Sequence, residues 1–174
     1  FIDVDFFKKI NSTLGHNIGD QVLQEVAIRL QSCIQEGDTL ARYSGDCFVI
    51  LHSYMDNLDI PHNLALQIFK AMKESILIDG HELYVTVSLG VSLYPTDDEG
   101  ALALIKNADN AMRRAKLPGN NSFQVYSAEM NEKSLRHLAM GNQLHKALQE
   151  KEFSLVYQPK LNLSSSKVVG VEAL

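Results

Sequence analysis

Apolar positions recur along this chain at two spacings, and the switches between them predict its elements. Phe1 to Val4 predicts a short strand, with Asp3 and Asp5 on one side of its pleat because side chains alternate with period two. Phe6 to Leu14 predicts a short helix that Gly15 ends. From about Asn17 to Ile34 the apolar set Val22, Leu23, Val26, Ala27, Leu30, Cys33 and Ile34 repeats every 3.6 residues, the stripe of an amphipathic helix. Gly37-Asp38 then turns the chain into two apolar runs, Leu40-Ala41 and Phe48 to Leu51. Ser44-Gly45 between them predicts a two-residue hairpin turn, since Gly accepts the positive φ that such turns require. Asp46 is expected at the first position of the returning strand, where a carboxylate is odd beside so apolar a run.

The second half continues the pattern. A loop from His52 to Pro61 leads to a helix from about His62 to Ser75, with Leu64, Ile68 and Met72 on its buried side. Val85, Val87, Leu89, Val91 and Leu93 alternate with Thr86, Ser88, Gly90 and Ser92, a long strand that Pro95 stops. Thr96-Asp97-Asp98-Glu99 reads as a cap and acidic first turn for a helix striped by Leu104, Ile105, Ala108, Ala111, Met112 and Ala115. Pro118-Gly119 breaks that helix, and Phe123 to Tyr126 predicts a last short strand. The order βααββαβαβ predicts an α+β fold, a ferredoxin-like or palm-type antiparallel sheet with helices packed on one face.

Beyond Tyr126 the character changes. Ala128 to Lys151 is polar, with Leu135, Leu138, Leu144 and Leu148 as sparse apolar points, and reads as a connecting helix. Phe153 to Leu163 and Lys167 to Val171 read as strands joined by Ser164-Ser165-Ser166. The expected division is 1–126 for the main domain, 127–151 for the connecting helix and 152–174 for the truncated start of a second domain. No repeat or low-complexity segment interrupts this order.

Composition narrows the classes of function. The 174 residues are 45% hydrophobic and 21% charged, as in a soluble globular protein, and no apolar run approaches the ~20 residues of a membrane span. A chain opening on Phe1-Ile2 without Met reads as beginning at a fragment boundary, so targeting signals are not legible. The net charge of −5 argues against duplex nucleic acid as a partner, but suits a mononucleotide held through a dication. Cys33 and Cys47 form no metal-binding spacing and read as free thiols of a reducing cytosol, Cys33 as a small core residue.

Topology supplies the candidate chemistry. In a split βαβ sheet the first strand and the strand before the Ser44-Gly45 turn run the same way, so Asp3 and Asp46 converge at one edge. Two converging carboxylates make a Mg²⁺-site candidate. The plainer alternative for Asp46 is a solvated turn residue.

These residues resemble a known family. FIDVDFFKKINSTLGHNIGD, residues 1–20, resembles the opening motif of GGDEF domains, the catalytic domains of diguanylate cyclases, and Arg42 to Phe48 falls at the family's RxGGDEF turn. Val87 to Pro95 resembles its long strand, and Asp109 to Asn121 its closing helix and A-K-x-x-G-R-N element. Tyr157-Gln158-Pro159-Lys160 and Glu172-Ala173-Leu174 resemble the beginning of an EAL domain, the family of cyclic-di-GMP phosphodiesterases. The resemblance implies that two such domains face each other, each holding GTP with Mg²⁺ or Mn²⁺. Each GTP 3′-hydroxyl then attacks the other's α-phosphate, with release of pyrophosphate. By position it implies Asp3, the Val4 backbone and Asp46 at the metal, Lys8 at the phosphates, and Asn11 and Asp20 at the guanine edge. It places Ser44 and Gly45 under the nucleotide and Lys116 at the terminal phosphates. On the residues alone, Asn11 reads as a helix-end polar residue, Asp20 as a first-turn acid, and Lys8 and Lys116 as surface charges. His16 reads as structural.

The chain also departs from the family. The signature reads Ser44-Gly45-Asp46-Cys47-Phe48, so a side chain stands where the backbone nears the nucleotide and a thiol replaces the second acid. A neutral, soft sulfur suits Mg²⁺ badly, so turnover suffers more than binding. Gln35 replaces the Arg of the R-x-x-D product-inhibition site, leaving Asp38, and Asn120 replaces an Arg of the closing element. The expected function is a degenerate GGDEF domain that binds GTP and regulates an attached EAL domain. Two alternatives stay open, a working diguanylate cyclase and a dimerisation module without nucleotide. Expected partners are GTP, cyclic-di-GMP signalling, the chain's own EAL domain, an upstream sensory domain and a second copy. Glu172 resembles a metal-ligating Glu of the EAL signature whose fellow ligands lie past Leu174, so no phosphodiesterase activity is expected here.

Overall fold

A computed structural model describes the backbone of residues 1–53 and 59–174, and the side chains of these except 132–135, 137 and 138. The chain forms two compact units, Phe1–Asn131 and Glu132–Leu174. In the first, a five-stranded sheet runs in the order β2-β3-β1-β6-β7, from β1 (Ile2–Val4), β2 (Thr39–Ser44), β3 (Cys47–Leu51), β6 (Val87–Val91) and β7 (Phe123–Val125). A hairpin of β4 (Ile76–Ile78) and β5 (His81–Leu83) stands apart from it. The helices are α1 (Phe7–Leu14), α2 (His16–Cys33), α3 (Ile60–Ala71), α4 (Ala101–Ala115) and α5 (Ala128–Gln149), the last running on into the second unit.

The sheet is antiparallel except at β6–β7, which are parallel because α4 crosses between them. Helices cover both faces rather than one. Ile2 pairs with Phe48 and Leu89, and these side chains meet the α2 stripe of Val22, Leu23, Val26 and Leu30 in one buried cluster. The opposite face of β6 carries Ser88 and Gly90, also buried, against α4. A Cβ at Gly90 would stand 2.0 Å from the Ala108 carbonyl oxygen and 2.2 Å from the Met112 nitrogen, so only glycine lets α4 approach. Small residues on that strand therefore mark a second packed face, not a solvated one.

Other elements differ in detail. Gly15, at φ 87°, separates α1 from α2 and donates its N–H to the Asn11 carbonyl at 3.0 Å. Arg29 ties α2 to the end of α3 and the turn after it: its guanidinium donates to the carbonyls of Ala71, Glu74 and Ser75 and pairs with Glu25. In α3 Ile68 lies inside and Leu64 is half-buried, and Met72, just past the helix end, is also buried. The expected loop before it falls partly at 54–58, outside the described residues. The β4–β5 hairpin turns at Asp79-Gly80, both with positive φ. An Asp-Gly pair after the apolar run Ile76-Leu77-Ile78 is a hairpin signal, although the periodicity alone predicts no strands there. β6 is shorter than the alternation suggests, although Val85 remains buried. Thr96 to Glu99 do not cap α4, whose N-cap is Gly100; instead the Asp97 and Asp98 carboxylates accept from the amides of Leu93 and Gly100 and shape the preceding loop.

In the second unit, β8 (Tyr157–Asn162) and β9 (Lys167–Ala173) form an antiparallel hairpin, with Lys160 paired to Glu172 at 3.0 Å. The Asn162 side-chain oxygen accepts from the amides of Ser164 and Ser165 in its turn. Leu144 and Leu148 of α5 are exposed, while Leu135 and Leu138 fall outside the described side chains. Among the described residues no helix is long and apolar enough to cross a membrane.

Candidate functional site

The β2–β3 hairpin and the end of β1 meet at one edge of the sheet. Ser44 pairs with Cys47, so the two-residue loop is Gly45-Asp46 and not Ser44-Gly45. Asp46 thus sits in the turn itself, one residue before β3. Gly45 takes φ 52°, and the Arg42 guanidinium donates from Nε to its carbonyl at 2.8 Å, fixing the turn. A bulge between Arg42 and Ser44 shifts the register just before it. The Val4 amide donates to the Asp46 carbonyl at 3.2 Å, which ties β1 to the turn, and Asp3 pairs with Cys47 across the strands. The topological expectation for Asp3 and Asp46 is met: Asp3, Asp46 and Cys47 each offer a ligand atom, all within 4.8 Å of one another.

Charge is unevenly matched at this edge. The Lys116 ammonium pairs with Asp3 Oδ1 and lies 3.9 Å from Asp5 Oδ1. Burial and the neighbouring Asp3 carboxylate raise the Asp46 carboxyl above its usual range. Burial, followed by Asp3, pushes the Cys47 thiol up to about 12, so it is protonated at neutral pH, with Sγ 3.4 Å from Asp3 Oδ2. Two carboxylates fit one hard dication such as Mg²⁺ or Mn²⁺, whereas the thiol does not replace a third hard ligand.

Asp5, which no motif along the chain singles out for a role, is 3% exposed. Its carboxylate accepts from Thr86 Oγ1 at 2.7 Å, Ser88 Oγ at 2.8 Å and the Asn121 amide at 3.0 Å. It joins β1, β6 and the loop after α4, and so places Lys116 beside Asp3. The visible signal is the pair of hydroxyl residues alternating with Val87.

Two hollows flank the hairpin. One, of about 440 Å³, is lined by Asp3, Ser44, Cys47 and Lys116 together with Asp109 and Arg113 of α4. The other, of about 450 Å³, is lined by Asp20, Leu23, Gln24 and Ala27 of α2, with Arg42 and Phe48. The candidates are therefore split, Asp20 beside one hollow and Asp3, Ser44, Cys47 and Lys116 beside the other. Asn11 lies at the α1–α2 seam with its side-chain oxygen buried and without a hydrogen-bond partner, against Gly19, where a Cβ would fall 1.8 Å from it. An unpaired buried acceptor is costly, and Asn11 lines neither hollow. Lys8 is exposed on α1 and lines neither hollow. His16 is also exposed.

Asp38 and Cys33 have ordinary surroundings. Asp38 accepts from the Gln35 amide at 3.0 Å and the Ser53 amide at 3.2 Å, and its Oδ2 lies 2.9 Å from His52 Nδ1, so its carboxylate is spent on folding two loops together. Cys33 Sγ lies 3.2 Å from the Arg29 carbonyl on α2.

Comparison with known proteins places this arrangement. Cyclic di-GMP phosphodiesterase NbdA of Pseudomonas aeruginosa is 39% identical over 174 residues, 100% of this chain and 22% of that protein. Diguanylate cyclase A of Treponema denticola is 42% identical over 123 residues, 69% of this chain and 32% of that protein. The chain thus spans under a third of the length of either relative. Among solved structures, the GGDEF domain of YfiN (TpbB) from P. aeruginosa superimposes with a TM-score of 0.70 at 34% identity, covering 72% of this chain and 79% of that one. A sensory box/GGDEF family protein of Caulobacter crescentus gives 0.63 at 43%, covering 68% and 76%. Residues 1–122 match the family described as diguanylate cyclase, GGDEF domain, and with the sheet order and hairpin edge described above this establishes that the chain belongs to the GGDEF family.

Proposed function

We propose that this chain is a nucleotide-binding, regulatory GGDEF domain of a cyclic-di-GMP signalling protein, with little or no cyclase activity of its own. The observation that carries the reading is the hairpin edge, where Asp3 and Asp46 converge and the next residue toward them is a neutral thiol. Two carboxylates suffice to hold the dication of a Mg·GTP. Loss of the third removes a full negative charge from a site that must orient a transferring phosphoryl group.

In this reading Asp3 and Asp46, with the Val4 backbone, hold Mg²⁺ or Mn²⁺. Asp20 and the unpaired Asn11 oxygen receive the donors of the guanine edge, and Leu23 packs on the base. Lys116 and Lys8 meet the phosphates, and Gly45 and Ser44 lie beneath them. The bound ion's contribution is to offset phosphate charge and fix its geometry. The output is an EAL domain, begun at 152–174 and reached through the helix at 127–151, a role supported by relatives that are phosphodiesterases or, in MucR of P. aeruginosa, bifunctional. An upstream sensory domain and a second copy are the other partners, and the setting is the cytoplasm.

A working cyclase is the second reading, favoured by the 42% identity to diguanylate cyclase A. Calorimetric titration of GTP with Mg²⁺ into the wild type and Asp46→Asn tests the first. Saturable binding that the variant weakens at least about tenfold supports it, since changing even a group that only orients a metal ligand costs that much. No heat of binding at millimolar GTP rejects it.

A further inference from the structure

The proposed dication site, on which this inference rests, is one in which Cys47 has replaced an oxygen ligand. The change alters which ion the site prefers. Asp3, Asp46 and Cys47 present two carboxylate oxygens and one sulfur within 4.8 Å of one another. Ligand atoms around tetrahedral zinc, at bonds of about 2.0 Å to oxygen and 2.3 Å to sulfur, stand about 3.5 Å apart. Cys47 Sγ and Asp3 Oδ2 stand 3.4 Å apart, so that edge already has the zinc spacing. Mg²⁺ instead demands six oxygens at shorter, octahedral distances and gains nothing from sulfur.

We propose that the Asp3–Asp46–Cys47 edge is a site for a thiophilic dication, Zn²⁺ in preference to Mg²⁺, with its fourth position open to water or a phosphate oxygen. On binding, the sulfur–zinc bond forms and the thiol proton leaves to solvent, while Asp3 coordinates through Oδ2, the oxygen beside the sulfur, and its charge is shared between the ion and the Lys116 ammonium on Oδ1. Lys116, its ion pair with Asp3 weakened, is then freer to meet a phosphate in the hollow it lines. Cys33 takes no part, since its sulfur lies on α2 against the Arg29 carbonyl.

The test is a titration of the metal-stripped chain with Co²⁺, a spectroscopic stand-in for zinc, followed by competition with Zn²⁺ and with Mg²⁺. The wild type and Cys33→Ala are expected to develop a thiolate-to-cobalt charge-transfer absorption in the near ultraviolet that Zn²⁺ abolishes and millimolar Mg²⁺ does not. Cys47→Ser is expected to lose the band and to weaken Zn²⁺ binding at least about tenfold, the loss seen even for groups that only orient a ligand. Cys47→Glu keeps a charged ligand and is expected to lose the band while binding Mg²⁺ more tightly than the wild type. Absence of the band in the wild type, its survival in Cys47→Ser, or equal Zn²⁺ affinity in the two overturns the proposal. A Mg·GTP titration of the same samples separates the two readings. GTP binding without a cobalt band sinks the zinc site alone, and a band without GTP binding sinks the nucleotide reading alone.

Discussion

Asp5 and Asp46 are both acids within reach of Asp3, yet their surroundings are opposite. Asp5 is buried, and three donors from two distant segments converge on it. Asp46 stands half-buried in a two-residue turn, where burial and the like charge of Asp3 hold its carboxyl above the usual range. A fully satisfied buried carboxylate stabilises a fold. A carboxylate pressed against another without a full counter-charge stores repulsion that a cation relieves. The difference separates a scaffold acid from the acid proposed to bind a ligand on the same edge, and it turns on neighbours, not on residue type.

The sharpest way to break this contrast is Asp5→Ala. It strands the Thr86 and Ser88 hydroxyls and the Asn121 amide, and is expected to cost about 3–5 kcal/mol in urea unfolding, as for breaking a buried charged network. Asp46→Ala is expected to leave the unfolding free energy unchanged or slightly higher. A comparable loss at both sites contradicts the division. Next in size, Gly90→Ala drives a methyl into the α4 backbone and is expected to cost about 3 kcal/mol by the same measurement, at the upper end for overpacking.

Much of this contrast is legible along the chain, for definite reasons. Period two puts Asp3 and Asp5 on one side of β1, and strand direction brings Asp46 to the same edge. The stripe from Val22 to Leu30 announces the buried face of α2. The hidden features depend on partners distant in sequence. Ser88 and Gly90 look like the wet side of a strand because α4, which covers them, packs there only in three dimensions. Asp5 looks like a spare acid because its donors lie at 86, 88 and 121. The turn is displaced by one residue from its expected place because the bulge before Ser44 shifts the register without a distinctive residue. Among the site candidates, the hollows separate Asp20 from Asp3, which no pattern along the chain could convey.

Two smaller effects sharpen the account of Cys47. With its thiol pushed up to about 12, Cys47 is protonated at pH 8, and mass spectrometry is expected to find it far slower to alkylate with iodoacetamide than a free thiol. Rapid alkylation would contradict the burial and the nearby Asp3 carboxylate that keep the thiol protonated. Restoring the family residues with Ser44→Gly and Cys47→Glu together is expected to raise Mg²⁺-dependent cyclic-di-GMP formation above the wild type. No gain in either activity or metal affinity would contradict the weakening assigned to Ser44 and Cys47, Gln35 and Asn120 being the next positions to restore.

The central claim is that the edge binds the nucleotide and does not turn it over. Incubating the wild-type chain with Mg·GTP and quantifying protein-bound GTP and cyclic-di-GMP in the same sample tests it most directly. The account predicts saturable GTP retention, lost in Asp20→Ala, with cyclic-di-GMP at background. Cyclic-di-GMP accumulating beyond one equivalent per two chains would contradict it.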